Sequence, residues 1–367
     1  MGKRLDFDHK HYVPILKGKE REYLALRELA GDARDRLTPL IEPTPIPYDF
    51  ENGAPAKTVD AHLANAVSKI VTNWGLDPVF IDLDWIPSSE TMTDGRHPLK
   101  FIFDGARAVE LQAIPVTGIN RDAAYQAAVK NAIDSDHRGV CIRVESDDLD
   151  DLIDLNSSLI ALLGELNVSK DQVDILIDFS AIGQVSGPLQ LAANATVTSL
   201  PSVADWRTLT FAATAFPPDL SNLAPQSVNF LPRTEWAIWL WLAARRGRLP
   251  RMPTFGDYAV AHPLWTEVDP RLMKMSAQLR YTVTSDWLVF KERNTRDYGF
   301  EQFKDICAAL IARSEYRGPA FSWGDNAINN IATTADAGPG NATTWRKIGT
   351  NHHLTMVVNQ IASVPGL

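Results

Sequence analysis

Six of eight short apolar runs in this sequence close on residues that ionise, and those residues are where chemistry is to be sought. Lys17 closes YVPILK, Glu42 closes LTPLIE, Asp82 and Asp84 close PVFIDLD, Arg143 and Glu145 close GVCIRVE, Asp178 stands near the end of VDILIDF, and Asp257 precedes Tyr258 in PTFGDYA. A seventh run, AIPVTGI, leads into Asn120 and Arg121. Side chains on a strand alternate between faces, so Asp82 shares a face with Asp84, and Arg143 with Glu145. Carboxylates gathered on one face repel unless a cation neutralises them. Two solutions offer themselves. A divalent cation such as Mg2+ or Mn2+, held by the carboxylates, would polarise a phosphoryl or carbonyl oxygen while Lys17 or Arg143 held an anionic group. Without metal, Glu42 or Asp178 would act as general base with Lys17 as electrostatic stabiliser. A Schiff-base role for Lys17 has no supporting neighbour in the sequence. Against all three stands a purely structural network of charges that satisfy one another.

The elements that must position these residues follow from the same runs. The eight are Tyr12–Lys17, Leu37–Glu42, Pro78–Asp84, Ala113–Ile119, Gly139–Glu145, Val173–Phe179, Thr208–Ala215 and Pro253–Ala259. Each is short, apolar and rich in branched residues, as strands buried on both faces are. Helix-period segments lie between them. Lys19–Leu29 ends before Gly31, Val59–Trp74 before Gly75, and the segment after Ser146 opens with acidic residues that suit a helix N-terminus. Eight strand–helix units in succession give an α/β fold of the (β/α)8 TIM-type barrel class, in which strand C-termini converge on one cavity. A doubly wound open sheet would need a glycine-rich phosphate turn, and Leu16-Lys17-Gly18-Lys19 supplies one glycine where that fingerprint needs three.

Beyond about residue 275 the rhythm changes. Leu279–Val283 and Trp287–Lys291 read as a hairpin and Tyr298–Ala312 as an amphipathic helix. The division expected is a barrel over 1–275 and a C-terminal α+β extension over 276–367, packed near the barrel mouth where it could complete a site. DAGPGNATT, 336–344, reads as a loop.

Composition narrows the classes. With 367 residues, 45% hydrophobic and 22% charged, the chain can bury a barrel core of roughly 250 residues plus an appendage of about 100. A net charge of −9 argues against an extended nucleic-acid surface, and the run Arg245, Arg246, Arg248, Arg251 reads as the basic end of the apolar helix Trp236–Leu242. No apolar leader or membrane-length segment is present, and Cys141 and Cys307 sit in apolar patterns, so a cytoplasmic protein without disulfides is expected. His352 and His353 are adjacent and must diverge in a helix, so neither zinc spacing nor a shared metal is expected. Ser322 lacks a nucleophile elbow. Trp236, Trp239 and Trp241 read as packing residues.

Tyr12-Val13-Pro14-Ile15-Leu16-Lys17-Gly18-Lys19 followed by Glu22 and Ala25-Leu26, with Thr38-Pro39-Leu40-Ile41-Glu42, resembles the Beta-protein family of phages and bacterial genomes. Ser322-Trp323-Gly324-Asp325, Trp345-Arg346, Gly349 and His352-His353-Leu354-Thr355 are similar to the same family's C-terminal end. The resemblance implies a setting in phage–host conflict and no catalytic set. Two functions follow as expectations. One is a hydrolase or phosphodiesterase-like barrel acting on a small anionic or nucleotide-type ligand through Lys17, Glu42, Asp82, Asp84, Arg143 and Asp178. The other is a non-catalytic scaffold that binds a phage or host protein through an apolar patch around Trp265, Met273 and Met275.

Overall fold

A computed structural model describes residues 6–149, 151–265 and 275–367. Its strands in chain order are β1 (Tyr12–Leu16), β2 (Leu40–Ile41), β3 (Tyr48–Asp49), β4 (Ala54–Pro55), β5 (Val79–Ile81), β6 (Ala113–Thr117), β7 (Val140–Glu145), β8 (Val173–Ala181), β9 (Thr208–Thr214), β10 (Ser227–Pro232), β11 (Thr254–Asp257), β12 (Ser276–Thr282) and β13 (Asp286–Asn294). Eight of them close a parallel barrel in the order β1-β11-β9-β8-β7-β6-β5-β2, and each coincides with one of the eight apolar runs. The fold is therefore the (β/α)8 barrel expected, with an α+β extension.

Period-two alternation divides the strands into two faces. Tyr12, Ile41, Ile81, Ile142, Ile177, Phe211 and Phe255 point outward into one large core with the helices. Val13, Ile15, Leu40, Phe80, Ile114, Val116, Cys141, Leu176 and Ala212 fill the barrel interior. The same parity carried one step further toward the strand C-termini reaches Lys17, Glu42, Asp82, Arg143 and Asp178. β5 ends at Ile81, shorter than the run Pro78–Asp84, so Asp84 lies beyond the ladder and is exposed.

The extension differs from a simple hairpin. β12 and β13 pair as expected, but β10, from between two barrel strands, joins the other side of β13 to give the order β10-β13-β12. The expected helix Tyr298–Ala312 begins later, at Gln302, after a separate turn of helix, Thr295–Tyr298. With Trp323–Thr333 it builds a second core around Leu279, Tyr281, Phe303, Cys307 and Ile348. The last helix, Ala342–Ser363, opens inside the expected loop 336–344, where Asn341 caps Thr343 N and Thr344 N. It then lies against the first helix, Glu20–Arg27, in the place of the usual eighth barrel helix.

That helix carries the two adjacent histidines, and one helical step turns them to different neighbours. His353 Nε2 lies 2.9 Å from Asp257 Oδ2, on the outward face of β11, and its Nδ1 lies 2.8 Å from the Thr282 hydroxyl. Tyr12 OH donates to the other Asp257 oxygen at 2.5 Å. His352 Nδ1 meets Asp325 Oδ2 and its Nε2 meets Thr282 O, both at 2.8 Å. Asp325 also accepts from Tyr281 OH and Ser322 OH. The motif glycines serve the same junction: a Cβ on Gly324 would stand 2.6 Å from Ile348 O, and one on Gly349 2.8 Å from Arg280 O. Ser322, Gly324, Asp325, Gly349, His352 and His353 thus join extension to barrel.

Burial lowers the His353 pKa more than Asp257 restores it. Burial alone would raise Asp257, but the His353 ring, its hydrogen bond, Arg233 and Tyr12 outweigh it and hold the carboxyl below its usual range. Both folded pKa values lie below their unfolded values, so both contributions are complete above the unfolded value and are lost as pH falls. Stability should therefore decline from about pH 6.5 downward. Replacing His353 by Gln should remove the part of that decline nearest neutrality in denaturant titrations at successive pH values, and an unchanged pH profile would assign it elsewhere.

Candidate functional site

Arg143 is the centre of the barrel mouth. It projects inward from β7, and its guanidinium meets carboxylates from three other strand ends. Nη1 donates to Glu42 Oε1 at 2.8 Å and to Asp82 Oδ2 at 2.9 Å. Nη2 and Nε donate to Asp178 Oδ2 at 2.6 and 2.9 Å. Nη2 also donates to Tyr258 OH at 2.7 Å, and that hydroxyl donates to Asp178 Oδ2 at 2.5 Å. All five side chains are buried. Burial opposes the arginine's charge, but the acidic groups around it outweigh that and raise its pKa well above the ordinary value. A planar fork of five donors suits this arrangement, which a lysine's point charge would not.

The other expected residues stand around this hub. Asp82 Oδ1 also accepts from Arg121 Nη2 at 3.3 Å, and Arg121 Nη1 pairs with the exposed Asp84. Asp84 therefore belongs to the rim. Lys17 is buried and turns to the loop after β11, donating to Leu264 O at 2.7 Å, with Trp85 and Trp265 rings 5.4 and 5.9 Å away. Burial lowers its pKa, partly offset by Glu42 and Glu22. Glu42, Asp82, Arg143 and Asp178 thus share one network, with Lys17 and Asp84 beside it.

A cleft of about 390 Å³ opens above the network, walled by Glu42, Arg143, Asp178 and Tyr258 below, by Asp84, Trp85, Glu145 and Asp147 on one side, and by His262, Pro263 and Leu264. A larger hollow, of about 780 Å³, lies at the opposite barrel end and does not meet the Arg143 network. The loop following β11 lines this cleft through His262, Pro263 and Leu264, and of the described residues none after Leu264 does.

At the centre of the site Glu42 Oε2 is buried and has no hydrogen-bond partner among the described residues. Burial is the main cause of a raised Glu42 pKa; Arg143 opposes it and Asp82 and Asp178 add to it. As for a metal, the oxygens of Glu42, Asp82 and Asp178 that converge are already spent on Arg143, and no group of three metal-ligating side chains is arranged for an ion among the described residues. The donor set fits a guanidinium rather than Mg2+ or Mn2+.

Across 12–359 the chain matches the family model described as Beta protein. The chain belongs to the Beta protein family. A comparison with curated proteins finds no match. Membership covers β1 and β2, which carry Lys17 and Glu42, as well as the histidine helix. It therefore spans both the mouth and the junction with the extension.

Tyr258 is the site residue that the strand ends pointed to least. Asp257 is the more conspicuous neighbour, yet it faces outward with Phe255, whereas Tyr258 follows the inward positions Thr254 and Gly256. Reading β11 with period two would have separated them. Trp85, His262 and Leu264 come from loops, which have no periodic signal. Replacing Arg143 by Met should leave buried Glu42 and Asp178 without a cation and Asp82 with Arg121 alone, and destabilise the fold by about 3–5 kcal/mol. Denaturant midpoints would measure this, and a loss below about 1 kcal/mol would mean that the network is not held by the guanidinium.

Proposed function

We propose that this Beta-family protein is an acid–base enzyme in which Glu42 is the reacting carboxyl, working on a small polar ligand in the cleft at the barrel mouth. The observation that carries the reading is the partnerless Oε2 of Glu42 beside an Oε1 fixed by Arg143. A catalytic acid or base needs a free oxygen, a fixed orientation and a pKa moved toward the working pH, and burial moves Glu42 in that direction. Asp178 is differently placed, clamped by Arg143, Tyr258 and Ser180 N. Two carboxyls in contrasting surroundings are a recurring basis for dividing acid and base roles.

The lining speaks to ligand class. Glu42, Asp84, Glu145, Asp147 and Asp178 outnumber Arg143, and Trp85 offers an aromatic wall. That favours a hydroxyl-rich or cationic ligand over the anionic or nucleotide-type one that Lys17 suggested. Hydrolysis, with Glu42 activating water or protonating a leaving group, is the reaction class we infer; phosphodiester cleavage fits this lining less well. The phage–host setting implied by the family adds no chemistry.

A binding scaffold is the second reading, favoured by the completeness of the Arg143 network. Its expected apolar patch is divided: Trp265 is half-buried against Trp85 and beneath Lys19, Met275 is exposed, and Met273 lies outside the described residues. A panel of chromogenic neutral glycosides, esters, cationic amides and phosphodiesters separates the readings. Turnover of a neutral or cationic member is expected, reduced about 10²–10⁴-fold by Glu42→Gln. Turnover that Glu42→Gln leaves intact, or confined to phosphodiesters, would contradict the proposal.

A further inference from the structure

A second charged cluster lies where the first helix, β12 and the start of the last helix meet, and among the described residues it has no ring of paired carboxylates like that around Arg143. Arg280 on β12 is buried, with its guanidinium 4.3 Å from the Phe216 ring centre. Its Nη1 donates to Val260 O, its Nη2 approaches Gln278 Oε1 at 3.5 Å, and its buried Nε has no partner among the described residues. Arg346, on the last helix, directs Nη1 toward the same Val260 O at 3.5 Å. Arg21, on the first helix, is near enough to disfavour the charge of both. Burial and these neighbours drive the Arg280 pKa well down and Arg346 to about 9. Lys19, beside Arg21, Lys17 and Arg346, is brought to about 8, chiefly by burial.

Among the described residues no carboxylate pairs with any of these three guanidinium groups. Glu22 is the acidic group nearby, and its Oε2 accepts from Lys19 N. Fixing Val260 O needs one donor, yet two guanidinium groups are directed at it. Arginine does not escape burial by losing its proton, so like charges brought together here call for an anion. The loop Ala259–Trp265 separates the cluster from the acidic cleft: Val260 O faces the arginines, while His262, Pro263 and Leu264 line the cleft. Arg346 also opens on a small hollow shared with Ser276, Gln278 and Thr295.

We propose that Arg21, Arg280 and Arg346 form a binding site for a phosphate group, separate from the barrel-mouth cleft. The planar forks of Arg280 and Arg346, which meet at Val260 O, match the tetrahedral oxygens of phosphate, and each adds a charge-assisted hydrogen bond. The free Nε of Arg280 supplies a donor already desolvated.

Calorimetric titration of the full chain with inorganic phosphate, pyrophosphate and phenyl phosphate at constant ionic strength tests the site. One-to-one binding is expected, weakened tenfold or more by Arg21→Gln and by Arg346→Gln, whose side chains are only half-buried. Arg280→Gln should abolish it, and the other two variants decide if that protein does not fold. Tighter binding of phenyl phosphate than of inorganic phosphate would identify an ester as the ligand; equal binding would identify free phosphate. Either supports the site. Phosphate binding no stronger than chloride, or affinities unchanged in Arg21→Gln and Arg346→Gln, would overturn it.

Discussion

One guanidinium group makes the barrel mouth possible. Three carboxylates from β2, β5 and β8 project into the same buried volume, where mutual repulsion and lost hydration would each work against folding. Arg143 spreads a single charge over donors that point at all three, and Tyr258 ties its far side to Asp178. Such a network is weak as a source of net stability, because desolvation offsets most of the attraction. Its effect is geometric: it fixes the height and direction of every strand-end side chain around it. Glu42 is held through one oxygen, and its other oxygen is left over.

Around that centre the chain manages a second problem, the seam between the last barrel strand and the first. Tyr12, Asp257, His353 and Thr282 form a buried chain of hydrogen bonds across it, and His352 with Asp325 binds the extension to the same helix. Ser322, Gly324, Asp325, Gly349, His352 and His353 of the extension are therefore spent on assembly. The mouth is left to loops, above all Ala259–Trp265, which has acidic cleft on one side and arginines on the other. A ligand at the arginines would brace this loop from behind.

Much of this was legible in the sequence because burial on both faces leaves an unmistakable trace: eight uninterrupted apolar runs, each becoming a barrel strand. Period two pairs Asp82 with Asp84 and Arg143 with Glu145, and the strand-end positions of Glu42 and Asp178 add them to the same group. What stayed hidden depends on where a strand stops or what lies across space. Asp84 shares the parity of Asp82, but the ladder ends at Ile81 and the chain turns outward. Ser227–Pro232, half-exposed and alternating, lacks the apolar run of a barrel strand and becomes a strand only by pairing with β13. Arg280 and Arg346 are far apart in sequence, and nothing local marks their meeting at Val260 O. The paired histidines were correctly read as divergent, since adjacent helical positions must be, but their partners on β11 and on Trp323–Thr333 come from tertiary contacts alone.

The central claim is that the Arg143 network leaves Glu42 buried with one oxygen uncommitted. Titrating the Glu42 carboxyl by heteronuclear NMR in the intact protein measures it most directly. A pKa clearly above the ordinary glutamate value of about 4.3 is the expected result. A value at or below it would mean that Arg143 neutralises Glu42 completely, and that the mouth of this barrel is a closed structural network.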